Sequence, residues 1–253
     1  VLRKRKIKLV IGFMRTSNIL AVLASKFLRI PVIISERNHP VVIDRSQSRF
    51  WKSLTRLTYP RANRLVIQTE TIKHYFSSWI EESKLRILPN PLSPDLHYTP
   101  TPEVSRENII LNVGRLTDQK GQDLLIKAFS ELNPVGWKLI IVGEGQKRSA
   151  LEKLIQKLDM SEKVFLPGRK KNIAKYYSLA KIFTFPSRFE GFPNALIEAM
   201  YMGLPCITTD CPTGPSELIT DGINGFMVEV DDQNGLVEKL RLLIKDQDLR
   251  NEF

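Results

Sequence analysis

A chain of 253 residues, 42% hydrophobic and 26% charged, with 13 Gly and 15 Pro and no biased tract, can bury one large or two modest cores. Disordered and fibrous classes are thereby excluded. Lys26, Arg29 and Pro31 interrupt the longest apolar stretch, 19–34, so no segment reads as a membrane span. The net charge of +11 is unevenly placed: residues 1–100 carry 18 Lys and Arg against 6 Asp and Glu, whereas 101–253 carry 20 against 21. A basic segment of this kind suits an anionic partner, whether nucleic acid, an anionic membrane surface or a phosphorylated substrate; a merely solvated basic face has the same composition.

Cys206 and Cys211 lack CxxC spacing and read as reduced thiols, and His39, His74 and His97 are scattered, so no zinc site is expected. With no initiating Met and a basic opening at Arg3, Lys4, Arg5 and Lys6, the chain reads as a fragment.

In chain order, hydrophobic patterning predicts strands over 7–11, 32–35, 65–68 and 85–88, alternating with helices over 19–28, 48–59 and 71–79. Five prolines between Pro89 and Pro102 then break the periodicity. The alternation restarts with strands over 109–113, 138–142, 164–166, 182–185 and 206–208, separated by helices over 122–132, 147–158, 173–179 and 194–202, with a further helix over 235–245. This predicts two doubly wound α/β domains: 1–96, a proline-rich linker over 97–106, and 107–253. A ligand is expected at the carboxyl ends of the strands, in the crevice between the domains.

The strand over 109–113 runs into Gly114, Arg115 and, near the next helix, Lys120. Two cations five residues apart, beside the N–H groups of a helix start, can converge on a diphosphate. Taken alone, a glycine turn between surface charges is the better account of them. Neither a Walker loop nor a dinucleotide fingerprint is present. Gly143 in VGEG and Arg169 in PGR end the next two strands, again as turns or as points of ligand approach. In FPSRFEGFPNALIEAM, Glu190 lies in a loop, Pro193 suits a first helical turn and Glu198 follows eight residues after Glu190. A ligand on that helix start would meet the backbone of Gly191, Phe192, Pro193 and Asn194 between two carboxylates, although a carboxylate pair there also serves to cap a helix.

LNVGRLTDQKG, LIIVGEGQKRSALE, VFLPGR and EGFPNALIEAMYMGLPCITTDCPTGPSELITDGINGFMV together resemble the donor-binding domain of family 4 (group 1) glycosyltransferases. VIISERNHP and RILPNPL resemble the later half of the same family's acceptor domain, especially of bacterial members that build polysaccharides and lipid-linked glycans. The resemblance implies a GT-B fold: two Rossmann-like, doubly wound parallel-sheet domains facing across a cleft, here with the N-terminal domain truncated and the final helices missing. It implies that Arg115 and Lys120 hold the diphosphate of a UDP-sugar or other nucleotide sugar. Glu198 would hold the ribose, Glu190 with the backbone of 191–194 the sugar, and the Arg169 loop the base. Glu36, Arg37 and Asn38 fall where many members place a His-containing acceptor-side motif; here His39 is displaced.

The implied activity is retaining, metal-independent transfer of a hexose or N-acetylhexosamine to a lipid-linked or polysaccharide acceptor. No cofactor is expected, the nucleotide sugar being a substrate. Asp246-Gln247-Asp248, the single Asp-x-Asp triplet, reads as a chance occurrence in a polar tail. The basic first domain would attach the enzyme peripherally to the anionic inner face of the cell membrane, where each Lys or Arg contributes about 1 kcal/mol, giving a cytoplasmic enzyme of polysaccharide biosynthesis. The truncated chain is expected to bind nucleotide and turn over poorly. A UDP-sugar 2-epimerase shares the architecture. A nucleic-acid-binding module would use the basic segment, but stacking motifs are absent and Glu190 and Glu198 are then unexplained, so no nucleic-acid partner is expected.

Overall fold

The computed structural model describes residues 6–37, 40, 48–93, 96 and 105–253. The chain divides into two compact units, Val1–Asn90 with Glu190–Phe192, and Pro91–Phe189 with Pro193–Phe253.

The first unit is a four-stranded parallel sheet. Strands β1 (Val10–Phe13), β2 (Val32–Ser35), β3 (Arg64–Ile67) and β4 (Leu85–Ile87) lie in sequential order, linked by helices α1 (Arg15–Leu28), α2 (Arg49–Thr58) and α3 (Glu70–Ser77). The β-branched run of β2 is its most buried strand, as expected of a strand covered on both faces. The Thr69 hydroxyl accepts the Ile72 N–H at 3.2 Å and so starts α3. Ile19, Ile34, Leu65, Ile67 and Phe76 form the core. Helix α1 begins at Arg15, four residues before its expected start, because Asn18 is turned inward, where its amide donates to Ser35 O at 2.9 Å and to Tyr59 Oη at 3.1 Å.

The second unit is a six-stranded parallel sheet of order β10-β9-β8-β5-β6-β7. Its strands are β5 (Ile109–Val113), β6 (Lys138–Val142), β7 (Val164–Gly168), β8 (Ile182–Phe185), β9 (Cys206–Thr209) and β10 (Phe226–Val228). The helices are α4 (Gln122–Leu132), α5 (Arg148–Lys157), α6 (Ile173–Leu179), α7 (Asn194–Tyr201), α8 (Gln233–Lys245) and α9 (Gln247–Glu252). The alternation of β5 feeds two cores, Ile110 packing with Leu125, Phe129 and Leu240 on one face, Ile109 and Leu111 with Tyr177, Leu196 and Phe183 on the other. The chain runs outward from β5 to β7, returns to β8 beside β5, and runs outward again to β10. This is the doubly wound order whose switch point lies between β5 and β8.

The expected bounds of β2, β5, β6, β8, α4 and α6 match those observed. Two elements were not expected. The strand β10 is three residues of a Gly- and Asn-flanked run, and α9 lies in what reads as a polar tail. Within the Asp-x-Asp triplet, Asp246 caps α9, its Oδ1 accepting the Leu249 N–H at 2.9 Å. Among the described residues no helix is long and apolar enough to cross a membrane.

Candidate functional site

Of the expected donor-side residues in the second unit, Gly114, Arg115, Gly143 and Arg169 lie on the loops that leave the carboxyl ends of β5, β6 and β7, Lys120 on the turn ahead of α4, and Asn194 and Glu198 on α7, which follows β8. Backbone hydrogen bonds carry the sheet into these loops: Gly114 N–H donates to Val142 O at 3.0 Å and Gly143 N–H to Gly168 O at 3.2 Å. Gly143 has a φ of 154°, and a Cβ on it would fall 1.8 Å from Gly114 O. Only glycine lets the β5 and β6 loops approach this closely.

Lys120 ends a single 3-10 turn, Asp118–Lys120, just ahead of α4. Its methylenes lie against Gly114, 3.5 Å from where a Cβ would stand, and its ammonium sits 4.9 Å from the centroid of Phe185, the last residue of β8. A cation over an aromatic face is held by about 0.5–1 kcal/mol. Lys120 therefore spans the switch point, reaching from the β5 loop to the end of β8. Arg115 is exposed in the same loop, and its carbonyl accepts the Gln122 Nε2 at 3.0 Å. Arg169 follows β7 and is also exposed.

Glu198 lies in the second turn of α7, half-buried, with Oε2 accepting the hydroxyl of Tyr177 at 2.9 Å. Burial raises its carboxyl above the usual range and the Tyr177 hydrogen bond partly offsets this. Burial, then the nearby carboxylate, lifts the Tyr177 phenol well above its ordinary value. Pro193 is the N-cap residue of α7, not its first turn as expected, and Asn194, the first helical residue, is exposed. Glu190 and Gly191 are buried and Phe192 is half-buried; the three group with the first unit.

Sequence reasoning missed Tyr177 and Arg188. Tyr177 has no local signal, because its partner stands 21 residues away on another helix. Arg188 sits inside the motif read for Glu190 and ties several of these loops together. Its guanidinium donates to both oxygens of Asp123 at 3.1 and 3.0 Å, to Asp231 Oδ1 at 2.7 Å and to Asp118 O at 2.5 Å. Burial would raise the Asp123 carboxyl, but the hydrogen bonds and charge of Arg188 bring it below the usual range.

In the first unit, Glu36 follows β2 and is fully buried, accepting the Tyr59 hydroxyl at 2.8 Å with Arg15 Nε 3.9 Å away. Arg37 Nη2 donates to Asn90 Oδ1. Asn38 and His39 lie outside the described residues. Among those described, no three His, Cys, Asp or Glu side chains gather as metal ligands would.

A family described as "Glycosyl transferases group 1" matches residues 99–253. The chain is 31% identical, over its whole length and 69% of the relative's, to a Campylobacter jejuni GalNAc-alpha-(1->4)-GalNAc-alpha-(1->3)-diNAcBac-PP-undecaprenol alpha-1,4-N-acetyl-D-galactosaminyltransferase. It is 32% identical to the amylovoran biosynthesis glycosyltransferase AmsD of Erwinia amylovora, across 77% of this chain and 56% of AmsD. In fold it is similar to Anabaena HepE, solved in complex with UDP, with a TM-score of 0.86 at 19% identity over 99% of this chain and 72% of HepE. The GT-B resemblance read from the motifs is thus met by the two parallel Rossmann-like sheets and by a glycosyltransferase relative that aligns along the whole of this chain. The chain belongs to the group 1 glycosyl transferases.

Proposed function

We propose that the switch-point loops of the second unit bind a nucleotide sugar, expected to be a UDP-hexose or UDP-N-acetylhexosamine, and that the whole protein transfers its sugar to a lipid-linked or polysaccharide acceptor. The observation that carries this reading is the Lys120 side chain lying across the β5–β8 switch point, with Gly114 beneath it and Arg115 in the same loop. The UDP bound by HepE and the undecaprenol-linked substrate named for the Campylobacter relative support it.

In this reading Arg115 and Lys120 neutralise the charge that develops on the departing diphosphate, each contact supplying on the order of 3 kcal/mol at the transition state, by comparison with one oxyanion donor. Glu198 accepts hydrogen bonds from the ribose hydroxyls, Tyr177 fixing one of its oxygens. Glu190 and the backbone of residues 191–194 hold the sugar, and the Arg169 loop faces the base. Transfer is retaining and metal-independent: the acceptor oxygen attacks from the face the diphosphate leaves, the bond from anomeric carbon to phosphate oxygen breaks, and the departing phosphate takes the acceptor's proton. Glu36, Arg37 and Asn38 belong to the acceptor side. The excess of Lys and Arg in residues 1–100 attracts an anionic membrane, and high salt should release the protein from vesicles containing anionic lipid.

Calorimetric titration with UDP, GDP and ADP tests the pocket. UDP should bind selectively, and Arg115→Ala and Glu198→Ala should each weaken it. A folded chain that binds none of the three nucleotides would overturn the reading.

A further inference from the structure

Two loops of the second unit, residues 118–121 after β5 and 186–189 after β8, come from opposite sides of the switch point and are far apart in sequence. They are joined in both directions: Arg188 N–H donates to Gln119 O at 2.8 Å, and Gln119 Nε2 donates to Phe189 O at 2.8 Å. The Arg188 guanidinium then reaches Asp118 O, both oxygens of Asp123 in the first turn of α4, and Asp231 in the loop after β10. Lys120 lies inside this zipped turn, two residues from Asp118 and three from Asp123. A planar guanidinium can satisfy so many acceptors at fixed angles; an ammonium cannot.

The electrostatics point the same way. Asp123 and Asp231 would, unpaired, set two negative charges beside a turn whose Lys120 is to meet a diphosphate. Arg188 holds both carboxylates in hydrogen bonds and leaves the trio one negative charge in place of two, so the field opposing the anion at the lysine is weakened. We infer that Arg188 is a positioning residue for diphosphate binding: it holds the Lys120 turn in register with the loop at the end of β8 and masks Asp123 and Asp231. The inference rests on the proposal that this site takes a nucleoside diphosphate.

A residue acting through Lys120 on the diphosphate must be felt by UDP and not by uridine, which has the same base and ribose and no phosphate. A residue that only staples the fold is felt by both. The experiment is calorimetric titration of the 253-residue chain with UDP and with uridine, comparing the unaltered protein with Arg188→Gln, Arg188→Lys and the triple variant Arg188→Gln/Asp123→Asn/Asp231→Asn. Circular dichroism establishes that each is folded. Arg188→Gln should weaken UDP at least tenfold and leave uridine within twofold. Arg188→Lys, which restores charge without the planar fork, should recover part of the loss, and the triple variant should recover part of it by removing the exposed carboxylates. Equal affinity of UDP for Arg188→Gln and the unaltered chain would overturn the inference, as would a parallel loss of UDP and uridine. If Arg188→Gln does not fold, Arg188→Lys carries the same comparison, and a UDP affinity unchanged there or lost together with that of uridine rejects the role. A folded unaltered chain that binds neither ligand brings down the nucleotide reading itself, and this inference with it; normal UDP binding with insensitive variants brings down only the role of Arg188.

Discussion

The hydroxyl of Tyr177 on α6 donates to Oε2 of Glu198 on α7 at 2.9 Å, so the carboxylate proposed to hold a ribose is oriented by a buried neighbour from a different helix. The bond fixes the carboxylate without removing the penalty of burying it. Glu198 keeps a carboxyl raised above its ordinary value of 4.5 by burial, with the Tyr177 bond only partly opposing it.

That raised value makes a prediction whose sign is fixed. The folded state binds the Glu198 proton more tightly than the unfolded state, so the group's contribution to stability is fully present below the unfolded value and is lost as pH rises through the folded one. At neutral pH the ionised carboxylate is a liability. Glu198→Gln should therefore raise the melting temperature at pH 7 while weakening UDP binding, and the gain should disappear as the solution is acidified through and below the ordinary glutamate range. Thermal melts across pH, beside a UDP titration, check both halves.

Gly143→Ala should cost about 3 kcal/mol or more, because it combines a disfavoured backbone angle with a Cβ driven into the Gly114 carbonyl. Gly136→Ala is the control. There φ is +75° and nothing lies within 4 Å of the new methyl, so the loss should stay near the roughly 1 kcal/mol of the backbone alone. Urea unfolding of the two variants separates the clash from the angle.

Cys206 is buried completely, and burial drives its thiol far above the ordinary value, while Cys211 is 1% exposed. Neither presents a thiolate to solvent. A thiol reagent at mildly alkaline pH should titrate no cysteine in the native protein and two after unfolding.

Asp246→Ala should lower stability by about 1 kcal/mol through loss of the α9 cap, and Asp246→Asn should not. Hydrogen exchange of the Leu249 amide should accelerate in the first variant and stay near its original rate in the second.

The second unit was largely legible because its strands are continuous β-branched and apolar runs punctuated by glycine. LNVGR, LIIVGEG and VFLPGR announce both strand and turn, and β5, β6 and β8 fall where the pattern put them. The run from Ile7 to Met14 carries no internal phase, so the first strand was expected three residues early; the observed one is Val10–Phe13. Asp246 shows the reverse failure, since a polar tail and a capped short helix share one composition. The cations at 115 and 120 were visible as a spacing. What Lys120 lies on, Gly114 below and Phe185 beside it, depends on strand adjacency, which no local pattern encodes. Arg188 and Tyr177 were silent for the same reason: their partners are assembled by the order of the sheet.

That order has a mechanical side. The strands β5, β6 and β7 form one run of local crossovers and β8, β9 and β10 another, while the two runs meet through a short register, Ile110 opposite Ile182 and Leu111 opposite Phe183. Within the outer runs, β5 with β6 shares five matched positions and β8 with β9 and β9 with β10 share three each. The β5–β8 line therefore closes between segments about seventy residues apart, at high entropic cost in any folding route. The Arg188 and Gln119 bonds cross the same line just beyond the strand ends, as does the Lys120 side chain. A nucleotide sugar gripped there, as proposed, would act as a rivet between the two runs of the sheet, so that its abundance would set the stability of the protein as well as its supply.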